Sequence, residues 1–370
     1  MQRLSSYRDF DWPLLGMIAL LSVISVFEIK SATAMTKFHG FDQKQIGFLA
    51  IGLGLMFIVS TIDYHRLLDI APWAYGVSLV ALVAVKLVGQ KVLGARRWIN
   101  LGGGVHFQPS EWVKLVLILV VARFVWNLPG SDIGRALSWR DIGKAFAIVG
   151  VPMALVLSQP DLGTALTYFP ILVLGLFLGG IRLRQVVVIL LALTLIGGIA
   201  YLSGKRLKPY QQQRINSFLD PDSDPKGSGY QIRQSKIAVG SGGIWGKGTN
   251  RGTQTQGDFL PIPYTDFIFA ALSEEHGFIG AMAVLLLYFL ILMRLIQNAQ
   301  TASDVPGTLI IMGVVAVLIF QIAVNVGMVV GLMPVTGIPL PLLSYGGSSV
   351  LFTFLSLGIV MNIRMRRFVN

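Results

Sequence analysis

Ten mostly apolar stretches follow one another along the chain, near residues 12–29, 45–62, 70–88, 111–127, 143–158, 163–181, 185–202, 276–295, 307–333 and 347–363. Each approaches the roughly 20 residues that a helix needs to cross a bilayer. A backbone inside hydrocarbon must satisfy its own hydrogen bonds, which leaves helices or a closed barrel, and runs this long and this uniformly apolar read as helices. The expected fold class is therefore an all-α polytopic membrane protein with about ten transmembrane helices, forming a single integral membrane domain over 1–370. Composition agrees: 54% of residues are hydrophobic and 13% charged, about half the charged fraction of a soluble domain. The net charge of +12 does not point to nucleic acid, because the basic residues are scattered through short loops. It fits cytoplasmic-loop bias and anionic headgroups instead. Cysteine is absent, which removes disulfides and thiolate metal sites.

The N-terminus carries Arg3 and Arg8, an apolar run and Ala32-Thr33-Ala34, features shared with cleavable signal peptides. The run is long for one, and Glu28 and Lys30 precede the small residues, so an uncleaved first helix is expected. With the N-terminus inside, thirteen basic residues of the short loops and termini fall on the cytoplasmic side and eight outside, the long polar segment set aside. That bias places both termini in the cytoplasm. The eight outside, Arg96, Arg97 and Lys114 among them, are what an anionic ligand on that face would require.

The long polar segment, 203–265, is expected to be an extracytoplasmic loop between helices 7 and 8. Nine Lys or Arg meet four Asp and no Glu there, and eight glycines fall between Gly227 and Gly252. Structureless loops of this length are uncommon unless functional or disordered, and the interspersed Tyr, Phe, Ile and Trp point to a folded, functional one. Nucleotide motifs fail: a P-loop would need Gly at Ser241 and Ser or Thr at Gly248, and a dinucleotide fingerprint would need Gly at Trp245. The glycines are expected to allow tight turns and close approach to a bulky ligand.

Four further stretches carry candidate chemistry. A turn-rich loop presents Arg96, Arg97 and Trp98. Pro109-Ser110-Glu111 starts a helix, with Lys114 on the face of Glu111; the pair reads equally as a surface salt bridge. Asp161, in Gln159-Pro160-Asp161-Leu162-Gly163-Thr164, is as plausible an N-cap as a ligand. Asp266 opens a helical pattern running to Arg294 and reads as a cap or as a site residue, while Glu274 and Glu275, about 12 Å deeper, are site candidates because carboxylates at that depth are costly unless paired. Finally, prolines at 334, 339 and 341 forbid continuous helix, and broken backbone at membrane depth is tolerated only where it is buried in protein or lines a cavity.

These blocks resemble a known family. Arg97-Trp98, Gln108-Pro109-Ser110-Glu111, Gln159 to Gly163, Asp220 to Pro225, Gly229-Tyr230-Gln231, Gln234 to Ala238, Gly240 to Gly243, Gly246-Lys247-Gly248, Thr265 to Phe269, Glu274-Glu275, and Pro339-Leu340-Pro341 through Tyr345-Gly346-Gly347-Ser348 are similar in sequence and order to the SEDS proteins (shape, elongation, division and sporulation). The compact N-terminus and short tails are most like the cell-elongation branch.

The resemblance implies a peptidoglycan glycosyltransferase of the bacterial cytoplasmic membrane, acting on lipid II at the outer leaflet beside a class B penicillin-binding protein, a transpeptidase. It places the catalytic carboxylate on Asp266 and a polar cavity at Glu111 and Lys114. The candidate binding set is Arg96, Arg97, Trp98, Glu111, Lys114, Asp161, Lys236, Lys247 and Ser344. Turning an α-linked donor into a β-linkage inverts the anomeric centre, which needs one base on the acceptor hydroxyl; the pyrophosphate leaving group needs positive charge. No metal ligand set is evident and no cofactor is required by the sequence, although a divalent cation could share the pyrophosphate. The alternatives are a lipid II flippase, whose polar path would cross the membrane, and a non-catalytic partner of the transpeptidase.

Overall fold

The computed structural model describes residues 9–34, 40–92, 95–100, 106–128, 137–202, 209–225 and 227–367. Each apolar stretch becomes a helix: α1 (Trp12–Thr33), α2 (Phe41–Thr61), α3 (Tyr64–Val88), α4 (Pro109–Trp126), α5 (Trp139–Ser158), α6 (Leu162–Leu178) and α7 (Leu183–Leu202). The polar segment then contributes α8 (Pro209–Leu219), α9 (Ser228–Ser241) and α10 (Thr253–Gln256), after which come α11 (Ile268–Gln300), α12 (Val305–Val329) and α13 (Gly347–Met365). Seven of these, α1, α2, α3, α5, α11, α12 and α13, are long and apolar enough to cross a membrane. The chain is thus a multi-pass membrane protein. Among the remaining apolar helices, α4 has 18 residues but carries Glu111, Lys114 and Arg123, and α6 is one residue shorter.

Short polar side chains set the helix starts. Asp11 accepts a hydrogen bond from the amide of Leu14, Asp161 from Thr164, and Asp304 from Gly307; Ser138 and Asp141 form a reciprocal capping box. At the centre, α13 is buried along nearly its whole length and packs closely on α2. Glycine makes that approach available: a Cβ at Gly358 would stand 2.8 Å from the carbonyl oxygen of Met56.

Two expectations about loops need correction. The turn-rich stretch after α3 is a three-stranded antiparallel sheet, β1 (Gln90–Val92), β2 (Ala95–Asn100) and β3 (His106–Phe107), with Ile99 opposite Phe107. The segment 203–265 carries the helices α8, α9 and α10. The tight turns expected of its glycines are present at Gly243, Gly246 and Gly248, all with positive φ, and some of its glycines approach the protein's own backbone. A Cβ at Gly242 would lie 2.0 Å from the carbonyl oxygen of Ser273, and one at Gly246 2.2 Å from that of Glu275. The segment is stitched to α11 where that helix breaks: the amides of Lys247 and Gly248 donate to the carbonyls of Glu274 and Glu275, and Phe278 and Ile279 donate back to Gly243 and Ile244.

The break is at Gly277, with φ 66° and ψ −164°, a backbone region essentially reserved for glycine. A Cβ there would also stand 2.3 Å from the amide nitrogen of Gly246. Gly277→Ala is therefore expected to destabilise the fold by about 1–3 kcal/mol from strain alone. Thermal unfolding in detergent would read this as a lowered Tm, and an unchanged Tm would show that the docked segment is not held by the break.

Candidate active site

β2, the start of α6, α8, α12 and the Pro-rich segment 334–341 meet at Asp266. The residue is half-buried in the turn before α11. The cap of α11 is Phe267 and makes no side-chain capping bond, so Asp266 is not the helix cap that its position allowed. Its main chain is pinned: Asn325 Nδ2 donates 2.9 Å to the carbonyl of Asp266 and 2.8 Å to that of Ile338. One clamp thus ties α12 to both the Asp266 turn and the Pro-rich segment 334–341. Ser344 adds another, donating 2.7 Å to the carbonyl of Thr265 while accepting from the amide of Leu340. Segment 330–346 contains no helix longer than a turn, as its prolines demand, and it passes close by. A Cβ at Gly337 would be 3.4 Å from Asp266 Oδ2.

The charges around this carboxylate come from β2, α6 and α8. Arg97, on β2, pairs with Asp161 at 3.3 Å. Asp161 caps α6 and also accepts 2.8 Å from Gln108 Nε2 and 3.0 Å from Thr164 Oγ1, so the cap of α6 also faces Arg97. Arg214, on α8, donates 3.1 Å to the carbonyl of Thr336. Burial lifts the Asp266 carboxyl above the usual carboxylate range; Arg97 and Arg214 pull it back, while Asp161 adds to the lift. The same surroundings lower the Arg214 guanidinium, chiefly through burial and then through Arg97. A carboxylate made more basic beside two guanidiniums is the pairing that proton abstraction at an anionic substrate calls for. Among the described residues, the buried Arg97 Nε, Thr336 Oγ1 and Asn325 Oδ1 here have no partner. Orphaned polar groups in one place point to a ligand that completes them.

Glu111 and Lys114 form a second cluster. Lys114 is fully buried, 2.7 Å from Glu111 and with its ammonium 4.2 Å from the centre of the Phe352 ring, so the pair is no surface salt bridge. It adjoins the first cluster through Tyr168, which donates 2.7 Å to the carbonyl of Ser110, and through Gln108, which reaches both Ser110 Oγ and Asp161. With Lys114 closed on Glu111, Arg97 and Arg214 are the cations that face Asp266 among the described residues.

Other expected site residues lie elsewhere. Lys247 pairs with Glu274 at 2.7 Å, and Glu274 also accepts from the amides of Gln254 and Thr255, so both serve to anchor the docked segment. Lys236 is exposed on α9, its side chain lying over Gly331. Trp98 follows Arg97 on β2, so its side chain emerges on the opposite face, and its ring meets His106 at 6.3 Å. The side chain of Arg96 lies outside the described residues. Sequence reasoning missed Arg214 and Asn325. Arg214 is one of nine basic residues in its segment, and nothing but its docking on Thr336 singles it out. Asn325 is, with Gln321, one of two buried amides in the mostly apolar α12; such an amide must find partners, and that signal was readable.

The peptidoglycan glycosyltransferase MrdB of Escherichia coli K12 is 42% identical over 356 residues, covering 96% of this chain and 93% of its own. The peptidoglycan glycosyltransferase RodA of Treponema pallidum is 34% identical, covering 99% of this chain and all of its own. A chain from a structure on the coordination of polymerization and crosslinking by a peptidoglycan synthase complex superimposes with a TM-score of 0.83 at 32% identity, over 98% of this chain and 99% of that one. The rod shape determining protein RodA of Thermus thermophilus gives 0.71 at 30% identity, over 98% of each. Matched by the family profile over residues 10–368, the chain belongs to the FtsW/RodA/SpoVE family of cell cycle proteins, the SEDS family its motifs resemble.

Proposed function

We propose that the chain is a peptidoglycan glycosyltransferase that polymerises lipid II by an inverting displacement with Asp266 as general base. The observation that carries this is the half-buried carboxylate of Asp266, made more basic by burial and faced by the guanidiniums of Arg97 and Arg214. Relatives that match over almost their full length and bear that activity in their names support the reading. Asp266 takes the proton of the acceptor sugar hydroxyl as its oxygen attacks the donor's anomeric carbon. The bond to the lipid pyrophosphate breaks on the opposite face, and no covalent enzyme intermediate forms. Arg97, with its free Nε–H, and Arg214 neutralise the departing pyrophosphate. The Glu111–Lys114 pair supports the wall on which Gln108 and Asp161 stand. This chemistry requires no cofactor; a divalent cation carried in by the pyrophosphate would add to the same positive charge.

The site belongs at the outer face of the bacterial cytoplasmic membrane, with both termini inside, as the distribution of basic residues favours. The partner is a class B penicillin-binding protein, and the likeness to a chain of a polymerising and crosslinking complex supports that pairing. Purified protein given lipid II, with and without its cognate transpeptidase, should yield glycan polymer. Transbilayer movement of lipid II without any polymer would replace the enzyme with a flippase.

A further inference from the structure

Some distance along α11 from Asp266, at the Gly277 break, lies a group of acidic and imidazole side chains with no part in the reaction above. Glu28 on α1 is 2% exposed, and Glu275 just before the break is equally closed off. His276 points its Nε2 at Glu28 Oε2 across 3.4 Å with its side chain 43% exposed. One ligand atom from each of the three lies within 4.8 Å of the others. Glu275 is held in place by Ser31, whose hydroxyl lies 2.6 and 2.7 Å from its two oxygens, and by Gln256. Glu28 is not: its Oε1 is buried and accepts from nothing among the described residues.

That orphan oxygen is the telling feature. A buried carboxylate with an unsatisfied oxygen is costly, and a second carboxylate beside it adds repulsion. The exposed imidazole at 3.4 Å relieves only one oxygen of one of them. A divalent cation would relieve both acids and use the orphan. The spacing suits one: ligand atoms at about 2.0–2.2 Å from an ion stand no more than about 4.4 Å apart, so small side-chain rotations bring all three into contact.

We propose that Glu28, Glu275 and His276 bind a divalent first-row metal ion, of the Mn²⁺ to Zn²⁺ range, that clamps α1 to the broken helix α11. The donor set decides the class. An imidazole disfavours Mg²⁺ and Ca²⁺, which prefer oxygen throughout, and without thiolates the softer ions lose their usual ligands. The exposed His276 edge supplies the way in and leaves open positions for water. Through Ser31, which also accepts from the amide of Asn250, and through Gln256, the ion would fix the segment 242–257 on α11. The site is structural and separate from Asp266.

The test uses the tag-free full chain in lipid nanodiscs, stripped with chelator and then titrated separately with Mn²⁺, Zn²⁺, Co²⁺ and Mg²⁺. One equivalent of Mn²⁺ or Zn²⁺ should bind and raise the Tm, and bound Co²⁺ should show visible absorption from its imidazole and carboxylate ligands. Mg²⁺ should compete poorly. His276→Ala, a change at an exposed residue that folding should tolerate, should weaken binding by at least about tenfold and abolish the metal-dependent rise in Tm. Glu28→Gln should do the same, while Asp222→Asn, at an exposed carboxylate paired with Arg233, should bind as the parent does. The proposal is overturned if the parent binds no stoichiometric ion, if His276→Ala binds as tightly as the parent, or if Mg²⁺ occupies the site equally well.

Discussion

Asp266→Asn should fold, insert and dock its neighbouring segments normally, yet polymerise lipid II about 10²–10⁴ times more slowly. The amide keeps the size of the carboxylate and can still hydrogen-bond, but it cannot accept the acceptor's proton. Stability should not fall with activity. The folded protein holds the Asp266 carboxyl above its ordinary range, with burial the leading cause. A group whose pKa is raised by folding favours the fold in its protonated state. That contribution is present below the unfolded carboxylate's pKa and is lost as pH rises through the folded value, so at neutral pH the charged group weighs against the fold. The neutral amide removes that burden, and the Asn variant should melt at or above the parent's temperature, as expected when an active site trades stability for function. Asp266→Glu should also be slow, by about a hundredfold, because the extra methylene moves the base by about 1 Å. Robust polymer from purified Asp266→Asn would remove the residue from the chemistry, and a large drop in its Tm would make it a structural carboxylate.

Much of this architecture is legible in the chain because the bilayer imposes a simple rule on it. Apolar windows of membrane length became helices α1 to α7 and α11 to α13, and the prolines at 334, 339 and 341 excluded helix where the structure has none. Asp161 and the Arg97 strand were legible as candidates because charge on a helix end or in a Gly-rich connection needs a reason. What could not be read was the interior of segment 203–265. Its apolar residues are too sparse for a clear helical period, since α9 and α10 draw their stability from docking on α11, and α8 from packing on α9, rather than from their own sequence. Hence Lys247 and Arg214 look alike in sequence, two basic residues among nine. In three dimensions one anchors Glu274, and the other donates to Thr336 and acts on Asp266 through its charge. Burial was the other hidden quantity. Nothing in the i, i+3 spacing of Glu111 and Lys114 distinguishes a surface ion pair from the closed one observed.

That closure decides which cations to test. Removing Lys114 would leave Glu111 as an uncompensated buried charge, which typically destabilises by about 3–5 kcal/mol, so lost activity there would not separate binding from folding. Arg97 and Arg214 are partly exposed and give the cleaner experiment. Each, changed to Ala, should lower the polymerisation rate by about 10²–10³, the usual loss for one donor to developing negative charge. Arg97→Lys should remain poor, because an ammonium cannot hold Asp161 and offer a second directed donor as a guanidinium does. The pH profile then separates two roles for Arg214. Its charge draws the Asp266 carboxyl downward against burial, so its loss must raise that group further and move the acidic limb of kcat/KM to higher pH. If Arg214 acts only by tuning the base, Arg214→Ala should recover the parent's rate once the pH exceeds the shifted limb. If it also neutralises the leaving pyrophosphate, the plateau itself should stay about 10²–10³ lower. The arrangement of two guanidiniums around one carboxylate, with an unpartnered Arg97 Nε–H, predicts the second outcome. An acidic limb that does not move, or moves downward, would show that Asp266 and Arg214 do not share a site.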